Sequence, residues 1–247
     1  GTDALAVMTS ATTLDTYNTA IGYNAGAAVT SGTANTLIGG LAGDALTSGS
    51  FNVALGKSAL STEDGHGRNI AIGYAALETQ DAGADAYNVA VGFNAGNAIT
   101  TGLQNVFIGG LTGDALTTGK HNVAVGFQSL SSANAGDFSV AIGHSALREQ
   151  TGASAGSNFY NVAVGYNAGL AMTTGVNNTL VGGLAGDAIV GGNNNIAMGH
   201  AALSTNVEGD SNVAVGFEAL YTLNPANGNS YNTAVGTQAG KLMTTAV

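Results

Sequence analysis

The chain has 247 residues, 39 of them Gly, one Pro, and no Cys or Trp; 45% are apolar, only 8% are charged, and the net charge is −10. That balance excludes a disordered chain, which needs high charge and low hydrophobicity. It excludes collagen, which needs Gly at every third position and abundant Pro, and any disulfide or thiolate–metal framework. The five cations, Lys57, Arg68, Lys120, Arg148 and Lys241, argue against nucleic acid as a partner. No apolar run approaches the ~20 residues of a membrane helix, so no membrane insertion is expected in this segment.

Residues 1–17 read as a lead-in or partial coil, and from Asn18 the chain repeats with a period of 17. Thirteen copies start at Asn18, Asn35, Asn52, Asn69, Asn88, Asn105, Asn122, Ser139, Asn161, Asn178, Asn195, Asn212 and Asn232. Extra residues enter after every fourth copy, so four-coil groups start at 18, 88 and 161, with a partial group at 232. The units are too short for helix pairs and are rich in Gly and β-branched residues. They predict an all-β fold, a parallel β-solenoid of thirteen coils over 18–247. The closing GKLMTTAV matches GLAMTTGV at 169–176, so residue 247 reads either as a cut inside the array or as an unusual cap.

Counting the Asn as column 1, each column has a physical role. The twelve Asn side chains predict a hydrogen-bonded ladder along the stacked coils. Columns 2 and 4 are Val, Ile, Leu, Met or Thr and share one face of a strand; they are expected to fill the coil interior. Column 3, Ala in ten copies, is expected to point outward. Column 5 is Gly in every copy: Gly22, Gly39, Gly56, Gly73, Gly92, Gly109, Gly126, Gly143, Gly165, Gly182, Gly199, Gly216 and Gly236. An invariant Gly column predicts a tight turn or a closely approached backbone. An outer face of Ala and Gly suits another backbone better than water, which predicts packing of columns 3 and 5 against further copies of the chain.

Column 6 usually carries a ring or long side chain, but in the second coil of each group it is Gly40, Gly110 or Gly183. Those coils enlarge column 3 to Leu37, Phe107 and Leu180, so the two columns are expected to share a space. Charge collects in the third and fourth coils and at the junctions, around 81–87, 151–160 and 224–230. Junction loops on a rigid scaffold are candidate contact surfaces, with Asp81, Asp85, Phe159, Tyr160, Asn227 and Asn229 as their contact residues.

Catalytic chemistry is not expected. GHSAL at 143–147 lacks the last Gly of a nucleophile elbow. GDALTTGK at 113–120 has the wrong spacing for a phosphate loop. His66, His121, His144 and His200 lack ligand spacing, and no cofactor is implied. Asp44, Asp114 and Asp187 recur at one column; facing a threefold axis they would form carboxylate rings for a cation, and otherwise they cap turn amides.

The unit, as in NTAIGYNAG, NVALGKSAL and NIAIGYAAL, resembles the head repeat of YadA-like trimeric autotransporter adhesins, a repeat also found in tail fibres of tailed phages. The resemblance covers about 18 to 240, although the family unit is shorter and has Ser after the Asn. It implies a left-handed β-roll packed as a homotrimer. It also implies an extracellular place, on a virion or a bacterial cell surface, and a role in attachment to a cell-surface receptor or glycan. A shaft or head of a phage tail fibre is the leading expectation. The alternatives are the head of a bacterial surface adhesin and a purely structural virion or surface filament.

Overall fold

The computed structural model describes residues 1–8, 15–151, 156–225 and 230–244. They form two compact units, Gly1–His121 and Asn122–Val247. The first holds β1 (Thr19–Ile21), β2 (Thr36–Ile38), β3 (Val53–Leu55), β4 (Ile70–Ile72), β5 (Val89–Val91) and β6 (Val106–Ile108). The second holds β7 (Val123–Val125), β8 (Val140–Ile142), β9 (Val162–Val164), β10 (Thr179–Val181), β11 (Ile196–Met198), β12 (Val213–Val215) and β13 (Thr233–Val235). Within each unit every strand pairs in parallel with the next, column on column: Thr19 with Thr36, Val89 with Val106, Val162 with Thr179. The pairing survives the junctions, Ile70 facing Val89 and Val140 facing Val162. This is a parallel β-solenoid, with no helix among the described residues.

Each strand ends after three residues at the column-5 Gly. Gly39 has φ +137°, and a Cβ there would lie 2.4 Å from the carbonyl oxygen of Gly56 in the next coil. Any side chain would therefore push two coils apart. Left-handed backbone also recurs at non-Gly residues, for example Phe51 (φ 62°), Ser58 (φ 57°) and Leu60 (φ 53°). Such residues cost roughly 1–2 kcal/mol each. In exchange their N–H groups point along the stack: Phe51 donates to Thr33 O (3.0 Å), Ser58 to Gly40 O (2.9 Å) and Leu60 to Ala76 O (3.0 Å). Local strain is thereby offset by bonds between coils.

The Asn column is a clamp as well as a ladder. Asn35 Nδ2 donates across its own coil to Gly49 O (2.9 Å), and its Oδ1 accepts the backbone N–H of Asn52 (2.9 Å). In the second unit Asn195 repeats this, bonding Gly209 O (2.8 Å) and the N–H of Asn212 (2.9 Å). Where Ser139 replaces Asn, the buried Gln150 donates to its Oγ (2.9 Å).

Side-chain direction along the strands is opposite to the expectation. Column 3 points inward: from Leu37, Ala54, Ala71, Ala90 and Phe107 through Ala214 it is fully buried, with only Ala20 and Ala234 of the end strands half-buried, whereas columns 2 and 4 are half-buried or exposed. The reason lies on the opposite wall, where column 9 sends side chains toward the strand. In the third and fourth coils column 9 is Leu (Leu60, Leu77, Leu130, Leu147, Leu203, Leu220), all buried, and only Ala fits opposite. In the second coil column 9 is Gly, and the enlarged column 3 takes the space. A Cβ on Gly113 would meet Phe107 Cε1 at 2.5 Å, and one on Gly43 would meet Leu37 Cδ2 at 2.8 Å. Column 3 thus compensates column 9 inside the coil, and not column 6, which lies outside.

Candidate interaction face

Turning columns 2 and 4 outward gives each unit an apolar strip. Of these 26 positions none is charged and four are Thr. Ile108 is 41% exposed, Met198 43% and Ile21 57%. A contiguous apolar strip left on the surface of a folded unit is the kind of patch that marks an interaction surface.

Two ring columns flank the strip. Column 6 stacks Tyr74 on Phe93 (centroids 5.3 Å) with Lys57 over Tyr74, and in the second unit His144 lies between Phe127 and Tyr166 (5.5 Å each). The other column is the residue just before the Asn. There Arg68 sits between Phe51 (5.1 Å) and Tyr87 (5.7 Å), and Phe138 stacks on Tyr160 (5.2 Å). Sequence reading did not single out this second column, although a ring precedes the Asn at Tyr17, Phe51, Tyr87, Phe138, Tyr160 and Tyr231. Tyr74–Phe93, Phe138–Tyr160 and His200–Phe217 pack face to face, whereas His144 is tilted by 35–37° against Phe127 and Tyr166. Stacked rings and aliphatic strips suit burial against protein, whereas a sugar needs an open ring face.

The other expected sites fall elsewhere. Asp44, Asp114 and Asp187 follow Gly43, Gly113 and Gly186, whose Cβ directions point into the coil at Leu37, Phe107 and Leu180. They therefore lie, half-buried, on the wall opposite the apolar strip, and a ring of them would need that wall, not the strip, at the axis. Burial pushes the Asp44 carboxyl above its usual range, against its own backbone N–H. Asp187 is raised by burial too, against a hydrogen bond from Ser204 Oγ (2.5 Å).

Asp81 and Asp85 are exposed, but Asp85 clips onto the preceding coil, accepting from Arg68 Nε (2.8 Å) and Gly67 N (3.1 Å). Phe159 is not a surface contact: it is 3% exposed and packs where a Cβ on Gly136 would be, 2.7 Å from its ring. Tyr160 is exposed, as part of the ring column. Asn227 and Asn229 lie outside the described residues. Ser145 of the GHSAL segment bonds His144 Nδ1 (3.0 Å) but is 1% exposed, so its hydroxyl is not presented to a substrate. No family model matches the chain, and no curated protein or solved structure matches it either.

Proposed function

We propose that this chain is a structural and adhesive fibre segment that assembles with copies of itself through the apolar strip of columns 2 and 4. The observation that carries the proposal is the strip itself: uncharged at all 26 positions in a chain of net charge −10, and bordered by stacked rings. Burial of apolar surface stabilises by about 25 cal/mol per Å², and a strip repeated coil after coil sums that gain along the solenoid. The homotrimer, the left-handed roll and the specific form, a shaft or head of a tailed-phage tail fibre engaged in host attachment, rest on the repeat's resemblance. The closely packed turns and buried hydroxyl favour this reading over an enzyme.

Solution mass tests the assembly. The intact chain is expected at three times its own mass, and a Val91→Asp, Val164→Asp double variant at the single-chain mass with its β spectrum kept. A wild-type monomer at micromolar concentration overturns the proposal. Saturable binding of the labelled chain to bacterial cells tests attachment, and its absence would leave a filament without a receptor role.

A further inference from the structure

One coil departs from the repeat at two positions that meet in space. Column 12 is aliphatic in its unit at Val29, Leu46, Ile99 and Leu116 and a neutral amide at Gln80, but in the third coil it is Glu63, which is fully buried. Column 15 is Gly32, Gly49, Gly102 and Gly119 in the same unit, but in the third coil it is His66. A buried carboxylate in an aliphatic column requires compensation, and the neutral donors on it do not remove its charge. Gln80 Nε2 donates to Oε2 (3.1 Å), and the His66 backbone N–H donates to Oε1 (3.1 Å). Independently, His66 Nδ1 is shielded from water and has no hydrogen-bond partner among the described residues; it faces Glu63 Oε1 at 3.4 Å. Asp64 supplies a third ligand atom, and the three ligand atoms lie within 4.8 Å of one another, the one such group among the described residues.

We propose that Glu63, Asp64 and His66 form a divalent-cation site of the zinc class. With metal–oxygen and metal–nitrogen bonds of about 2.0–2.1 Å, tetrahedral ligands stand about 3.3 Å apart, which is the Glu63–His66 spacing. One imidazole and two carboxylates suit zinc or a similar transition ion better than calcium or magnesium, which take oxygen alone. The carboxylate is already oriented from behind, because Asn88 Nδ2 bonds Gln80 Oε1 (2.9 Å) and so turns the Gln80 amide N–H toward Glu63. The carbonyl of Asp64 takes the N–H and Oγ1 of Thr47, which ties the ligand-bearing segment to the coil before it. The ion would lock the charged third coil to its apolar neighbours, and this role does not depend on the fibre reading.

Titration of the full chain with Co²⁺, followed by its visible absorption and by displacement with Zn²⁺, tests the site. One equivalent is expected to bind, with Zn²⁺ raising the melting temperature. His66→Ala and Asp64→Asn, both on solvent-accessible side chains, are expected to weaken binding at least tenfold and to abolish the thermal shift, while His144→Ala leaves both unchanged. Glu63→Gln should do the same as His66→Ala if it folds; His66→Ala and Asp64→Asn decide the matter if it does not. No binding below millimolar concentration, or equal binding by wild type and His66→Ala, overturns the proposal and leaves a plain Glu63–His66 pair.

Discussion

The first two coils of each group and the last two solve one packing problem in opposite ways. The first pair empties column 9 to Gly and fills the space from the second coil's column 3 and from the coil before; the hollow at Gly96 is filled by Phe107 from one side and Leu77 from the other. The second pair keeps Ala at column 3 and fills from column 9, then admits polar groups at column 12, with Glu63, Gln80, Gln150 and Asn206 all buried. The lesson is that interior volume, and not residue type at any one column, is what the four-coil period conserves. Buried polar side chains at column 12 fall in the third and fourth coils, where Gln80 and Gln150 also brace the Asn ladder through Asn88 (2.9 Å) and Asn161 (3.1 Å).

The comparison breaks most severely at the column both pairs share. Gly39→Val places a side chain 2.4 Å from a backbone oxygen at φ +137°, and neither coil can yield without losing the stack. The expected outcome is loss of cooperative unfolding in a thermal melt. Next, Phe107→Ala empties the first-pair interior and should cost about 3–5 kcal/mol in denaturant unfolding. Adding Gly113→Leu to Phe107→Ala imitates the second pair and should recover part of that loss. A double variant no better than the single would contradict shared volume, although the φ of +57° at Gly113 limits the recovery.

A smaller effect separates the polar interiors. Glu63→Leu alone leaves the Gln80 amide without its acceptor and should cost roughly 1–3 kcal/mol. Glu63→Leu with Gln80→Leu removes both partners and should be less costly than the single change. The smallest effect is electrostatic. Asp44 and Asp187 are raised by burial above the usual value of 3.8, so their folded forms resist ionisation. Their contribution is full below that usual value and is lost as pH rises through the raised one. Asp44→Asn should therefore raise the melting temperature at neutral pH, and the gain should vanish below the ordinary carboxylate range.

The period, the Gly column and the Asn ladder were legible in the sequence because each is one residue type with one geometric reason. Strand sidedness was not. Val-Ala-Val presents apolar atoms on both faces, so hydrophobicity alone cannot say which face is inside, and size suggested the wrong one. The deciding signal was the exchange between columns 3 and 9: Leu37 with Gly43, Ala54 with Leu60. Glu63 and His66 were equally hidden, since their spacing acquires meaning only when the turn at 63–66 brings Oε1 and Nδ1 to 3.4 Å.

The outward strip is the central claim, and the absence of Cys allows a direct test with single thiols. Ile108→Cys lies on the strip and Thr101→Cys on a turn, and both native residues are exposed in the single chain. At concentrations where the chain assembles, a thiol reagent should modify Thr101→Cys fast and Ile108→Cys at least tenfold more slowly, with the difference lost on dissociation. Equal rates at both positions in the assembled chain would contradict the account.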